Sequence, residues 1–169
     1  MMDHLLALQV IVPLLAAPVC VLIRHPLASR LWALGAVWAT FAISCLILEA
    51  ATSSPEPLSY FMGGWRPPWG IELRVDAANA FVLILVSMIA SVVLPFGAGS
   101  ANVTVSENRM YLFYAAFLLC MTGLLGITIT GDAFNVFVFL EVSSLSAYAL
   151  IALGPSRRAL MAAYSYLIV

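Results

Sequence analysis

The stretch Ala133 to Leu153, AFNVFVFLEVSSLSAYALIAL, decides the fold. It is long enough to cross a hydrocarbon core of about 30 Å as an α-helix, and its only ionisable side chains are Glu141 and Tyr148. A segment this apolar and this long has no place in a soluble domain unless buried on every side. The surrounding chain supplies no polar layer to bury it, because 64% of the 169 residues are hydrophobic and only 9% are charged. Soluble domains carry about 25% charged residues, so this is an integral membrane protein, and its mean hydropathy of +1.08 agrees.

Working outward, four more runs have the same character: Leu5 to Ile23, Leu31 to Leu48, Ala77 to Phe96 and Met110 to Thr130. Lipid offers backbone amides no hydrogen-bond partner, so each run is expected to close its own hydrogen bonds as a helix. A sixth run begins at Ala159 and meets Val169 after about half a span. The expected fold is therefore all-α and membrane-integral, with five full transmembrane helices and a truncated sixth. The first run lacks a basic segment before it and reads as a retained helix rather than a secretory signal. Pro13 and Pro18 are expected to kink it.

Arginine placement sets the expected orientation, since basic residues in short loops stay cytoplasmic. Arg24 and Arg30 lie in the first connection, Arg109 in the third, and Arg157 and Arg158 in the fifth. The second connection, Glu49 to Asp76, holds Arg66 and Arg74 against four acids, and the turn at Gly131 and Asp132 holds no basic residue. The N-terminus is thus expected outside, in the cell (inner) membrane. Within the long second connection, Gly63-Gly64, Pro67-Pro68, Trp65 and Trp69 suggest a short ordered hairpin at the headgroup level, with a plain loop carrying belt aromatics as the alternative.

Most charges sit at run ends, where they reach water. Asp132 is placed to cap the fifth helix, with Asn135 behind it. Gln9 and His4, near the outer end of the first helix, read as interfacial, as do Thr128 and Thr130. Glu141 is different. It lies about 3 Å from the middle of its run at 1.5 Å rise per residue, too deep to reach water along the helix. A carboxyl there must face the protein interior, ion-paired, protonated or lining a hydrated cavity, and this marks it for proton or cation handling. The alternative is a packing role through a hydrogen bond to a neighbouring helix. Ser144 and Tyr148 share its helical face and form a candidate proton path. Ser143, Ser144 and Ser146 also suit close helix packing.

Other functions find no support. A net charge of −1 and the absence of basic runs exclude a nucleic-acid surface. Cys20, Cys45 and Cys120 have neither CxxC spacing nor a neighbouring histidine, and His25 has no second ligand near it, so neither metal nor haem is indicated. Phosphate-binding glycine loops, HExxH and nucleophile elbows are missing, and no cofactor is expected.

The segment GITITGDAFNVFVFLEVSSLSAYALIALG, Gly126 to Gly154, resembles the fifth-helix region of the antiporter-like subunits shared by Mrp-type multisubunit Na+/H+ antiporters and the proton-pumping arm of respiratory complex I. The similarity is greatest to the D-type subunits of the Mrp antiporters. YFMGGWRPPWGIELRVDAANAFVL, Tyr60 to Leu83, resembles that group's outer loop and third helix, and RRALMAAYSYLIV, Arg157 to Val169, the start of its sixth helix. The resemblance implies a 14-helix subunit that moves protons and cations within a hetero-oligomeric membrane complex, without a cofactor of its own. It also implies that Glu141 occupies the place of an essential fifth-helix glutamate whose partner is a lysine on a later helix.

This chain contains no lysine. It is therefore expected to be the N-terminal part of such a subunit, as a fragment, one half of a split gene or a natural truncation, and not to transport alone. On this reading residues 1–125 form an N-terminal transmembrane segment and 126–169 the start of the translocating core. The expected function is Na+/proton antiport with Glu141 in proton handling, in contact with other membrane subunits, lipid, protons and Na+. The alternatives are a proton-translocating subunit of a complex I-like or hydrogenase-type redox complex, and a scaffold subunit without transport activity.

Overall fold

The structure is a computed structural model that describes residues 4–65 and 69–168. Arg66, Pro67 and Pro68 of the long connection, with Met1, Met2, Asp3 and Val169, lie outside the described residues. Six helices and one hairpin follow in order: α1 (Leu5–Ile23), α2 (Pro26–Ser53), β1 (Leu58–Phe61), β2 (Glu72–Val75), α3 (Ala77–Thr104), α4 (Met110–Ile129), α5 (Ala133–Ala152) and α6 (Arg157–Ile168). Five of the helices are long and apolar enough to cross a membrane, and the chain is a multi-pass membrane protein.

Two helices outrun their apolar segments. α2 starts at Pro26 rather than Leu31, because proline at the first helical position needs no N–H partner and the ring Nδ1 of His25 accepts the Ala28 N–H at 3.4 Å. Arg30 therefore belongs to the helix, not to a loop. At the far end α2 runs past Leu48 to Ser53, and the hydroxyls of Thr52 and Ser53 donate to the carbonyls of Leu48 and Glu49. Similarly, α3 continues through Pro95 to Thr104. An apolar run reports the thickness of the bilayer, whereas caps and backbone partners decide where the helix stops. α1 remains helical through Pro13 and Pro18.

The centre of the bundle is α4, which packs on α1, α2, α3 and α5 and contributes the fully buried Leu118, Leu125 and Ile129. Its contact with α5 is unusually close. A Cβ built on Gly123 would lie 2.6 Å from the Phe139 carbonyl oxygen and 2.6 Å from the Ser143 Cβ, and one built on Gly126 would run into the Phe139 ring. Two glycines three residues apart thus form a seam that only hydrogen can fill.

Gln9 is the clear departure from expectation. It is fully buried between α1, α2 and α3, not interfacial. Its Nε2 donates to Ser44 Oγ at 2.6 Å, and Ser87 Oγ lies 2.9 Å from Ser44 Oγ. Depth along α1 placed Gln9 near the bilayer surface, but the helical face on which it falls is covered by both neighbours.

The second connection is a two-stranded antiparallel hairpin, with Leu58 opposite Val75 and Phe61 opposite Glu72. Gly63 and Gly64 adopt φ of 68° and 77° just beyond β1, a left-handed conformation that glycine enters without a Cβ penalty. The hairpin is tied into the bundle rather than resting loosely on it. Leu73 is 1% exposed and bridges to Thr130, and the Gly131 N–H donates to the Glu72 carbonyl at 2.9 Å. His4 Nδ1 and the Tyr60 hydroxyl are 3.3 Å apart, so the start of α1, the hairpin and the α4–α5 turn share one end of the molecule.

Candidate proton-handling groove

The seam with α4 determines where Glu141 faces. Phe139 and Ser143 turn toward Gly123 and Gly126, and Glu141 is two residues from each, about 200° around the helix at 3.6 residues per turn. It therefore points away from α4. At the start of α5, Asp132 Oδ1 accepts the Phe134 N–H at 3.2 Å, the expected cap, and Asn135 is buried just behind it. Ser146 returns its hydroxyl to the Val142 carbonyl at 2.6 Å, while Ser143 Oγ lies 3.7 Å from Cys120 Sγ. These two serines serve packing.

Glu141, Ser144 and Tyr148 line one groove of about 410 Å³ on the opposite side of α5. Leu145 joins them from α5, and Tyr166 and Leu167 close the groove from α6. The structure thus brings together all three residues singled out in the sequence and adds Tyr166. Tyr166 was missed because the short turn after Ala152 makes α5 and α6 neighbours without specifying which face of each meets the other.

The groove's electrostatics follow from what lies along α6. Arg157 and Arg158 begin that helix, and Tyr166 stands eight residues after Arg158, about 12 Å further along the axis. Their guanidinium groups belong to the turn end of the helix pair, far from Glu141. The carboxyl shares its groove with three hydroxyls, Ser144, Tyr148 and Tyr166, each of which can donate and accept. A carboxyl among hydroxyls in a space wide enough for several waters can hold a proton and pass it along a hydrogen-bonded chain. Among the described residues, no group of three His, Cys, Asp or Glu side chains could hold a metal ion.

No protein-family model matches the chain. Over its whole length it is 42% identical to NADH-quinone oxidoreductase subunit N of Desulforudis audaxviator and 31% identical to a protein named antiporter subunit mnhD2 of Staphylococcus saprophyticus. The chain spans 34% and 33% of the length of these two curated relatives. Among solved structures, a chain of the membrane-bound sulfane sulfur reductase, an archaeal respiratory membrane complex, superposes with a TM-score of 0.88 at 25% identity, over 98% of this chain and 34% of that one. A chain of the Mrp complex from Dietzia sp. DQ12-45-1b shares the fold, with a TM-score of 0.86 at 23% identity over 99% of this chain and 31% of that one. The resemblance to antiporter-like membrane subunits, of both the antiporter and the respiratory kind, is borne out.

Proposed function

We propose that this chain provides the first helices of a proton-translocating membrane subunit in which Glu141 binds and releases the transported proton. The observation that carries the reading is the groove itself: a carboxyl near the middle of a membrane helix, turned away from the packing seam and lined up with Ser144, Tyr148 and Tyr166. Coupled to a monovalent cation, most simply Na+, the same proton movement is antiport within a complex of several membrane subunits. The N-terminus lies outside, with the arginine-rich turns in the cytoplasm.

A second coupling is favoured by one observation, the higher identity to a quinone oxidoreductase subunit than to an antiporter subunit. In that setting redox chemistry on other subunits drives the proton, and the role of Glu141 is unchanged. Proton flux in vesicles containing the assembled complex, with and without Na+, tests both. Glu141→Gln should stop proton movement in either case. A Na+-dependent flux in the parent supports antiport, and a flux driven only by an electron donor supports the redox coupling. Normal flux from Glu141→Gln would overturn the assignment of Glu141.

A further inference from the structure

At the end opposite the hairpin, the turns between α1 and α2, α3 and α4, and α5 and α6 surround a second cavity, of about 820 Å³. His25, Arg30, Glu107 and Tyr114 supply its polar groups, and Leu27 and Met110 part of its apolar wall. None of these residues lines the Glu141 groove. The cavity lies where the apolar runs end, so it faces the boundary between hydrocarbon and water.

We infer that this cavity binds the phosphate-bearing headgroup of an anionic phospholipid, with Arg30 as its principal charge contact. Charge is the first argument. Arg24, Arg30, Arg109, Arg157 and Arg158 all belong to this end, against Glu107 alone among the acids. Five positive charges against one negative make this end attractive to an anion, and a basic residue that contacts the headgroup strengthens binding by about fivefold. Arginine also offers the paired donors that fit phosphate oxygens.

The second argument is Tyr114. It is only 2% exposed, lines the same cavity as Arg30, and carries a phenol hydroxyl that can donate a hydrogen bond. A phosphate oxygen held by Arg30 supplies an acceptor for that hydroxyl. The third is the mixed wall. A free phosphate ion has no use for Leu27 and Met110, whereas a lipid brings glycerol and the start of two acyl chains to the same place. Glu107 opposes the anion and limits its affinity.

The test uses the purified full chain in neutral detergent, titrated with short-chain phosphatidylglycerol or phosphatidylcholine and read by native mass spectrometry. Phosphatidylglycerol should bind about tenfold more tightly than phosphatidylcholine. Arg30→Gln should remove about fivefold of that preference, Arg30→Lys should retain most of it, and Arg158→Gln, outside the cavity, should change it less than about twofold. If Arg30→Gln does not fold, Glu107→Gln and Tyr114→Phe decide, because the first should tighten phosphatidylglycerol binding and the second weaken it. Equal binding of the two lipids, or an unchanged preference in these variants, would overturn the proposal. So would inorganic phosphate that displaces phosphatidylglycerol at equal concentration, since the site would then belong to a free anion.

Discussion

Gly123 on α4 and Ser143 on α5 meet so closely that a methyl group on Gly123 would lie 2.6 Å from the Ser143 Cβ. This contact sets the rotation of α5 and thereby turns Glu141 toward α6. Gly123→Val is therefore expected to destabilise the chain by about 1 to 3 kcal/mol, the usual cost of overpacking a tight interface. Denaturant titration of helicity in detergent measures it, and an unchanged midpoint would mean that the seam is looser than described.

Within the groove, the effects of substitution should grade with chemistry. Glu141→Ala should lower proton flux by about a hundredfold or more in the assembled complex, as loss of a proton-transferring group does, while Glu141→Asp retains part of it. Membrane insertion of both variants should match the parent. Full flux from Glu141→Ala would leave only a packing role.

Tyr166 enters the groove from α6, so its hydroxyl is expected to matter less than the carboxyl but more than its exposure suggests. Tyr166→Phe should slow flux about threefold to tenfold, the scale of one lost hydrogen bond of about 1 kcal/mol. Tyr164→Phe, on the same helix but outside the groove lining, serves as the control and should leave the rate unchanged.

The orientation can be read by labelling. In a background with Cys20, Cys45 and Cys120 replaced by serine or alanine, a cysteine at Glu56 should react with an impermeant reagent in intact cells. One at Ser106, in the α3–α4 turn, should react only after permeabilisation. The opposite pattern would invert the topology.

Gln9 makes a prediction of a different sort. Its Nε2 bonds to Ser44, but its Oε1 is buried with no partner among the described residues. Interhelical hydrogen bonds in membranes average about 0.6 kcal/mol, and this one leaves half of the amide unsatisfied. Gln9→Met should therefore change stability by less than about 1 kcal/mol in the same titration. A loss of several kcal/mol would show that Gln9 holds the three helices together.

The number of spans and the hairpin were legible because each depends on a local property, the length of an apolar run or the placement of glycine and proline. The ends of α2 and α3 were not, because a helix runs on past its apolar stretch where caps such as His25 and backbone partners allow it, and hydropathy does not register these. Gln9 was misplaced for a related reason: depth in the bilayer can be counted along one helix, whereas burial depends on which other helices cover that face.

By itself the sequence determined that this is a membrane protein of five long helices and a shorter sixth, and that Glu141 shares one helical face with Ser144 and Tyr148. Helical periodicity and the cost of exposing backbone to lipid suffice for both. Only the tertiary structure decided that this face opens on α6 and Tyr166, that Gly123 and Gly126 hold α5 in that rotation, and that three distant turns enclose a cavity around Arg30. Those relationships join residues far apart in the chain, and nothing in the local pattern of any one helix specifies which neighbour its polar face will meet.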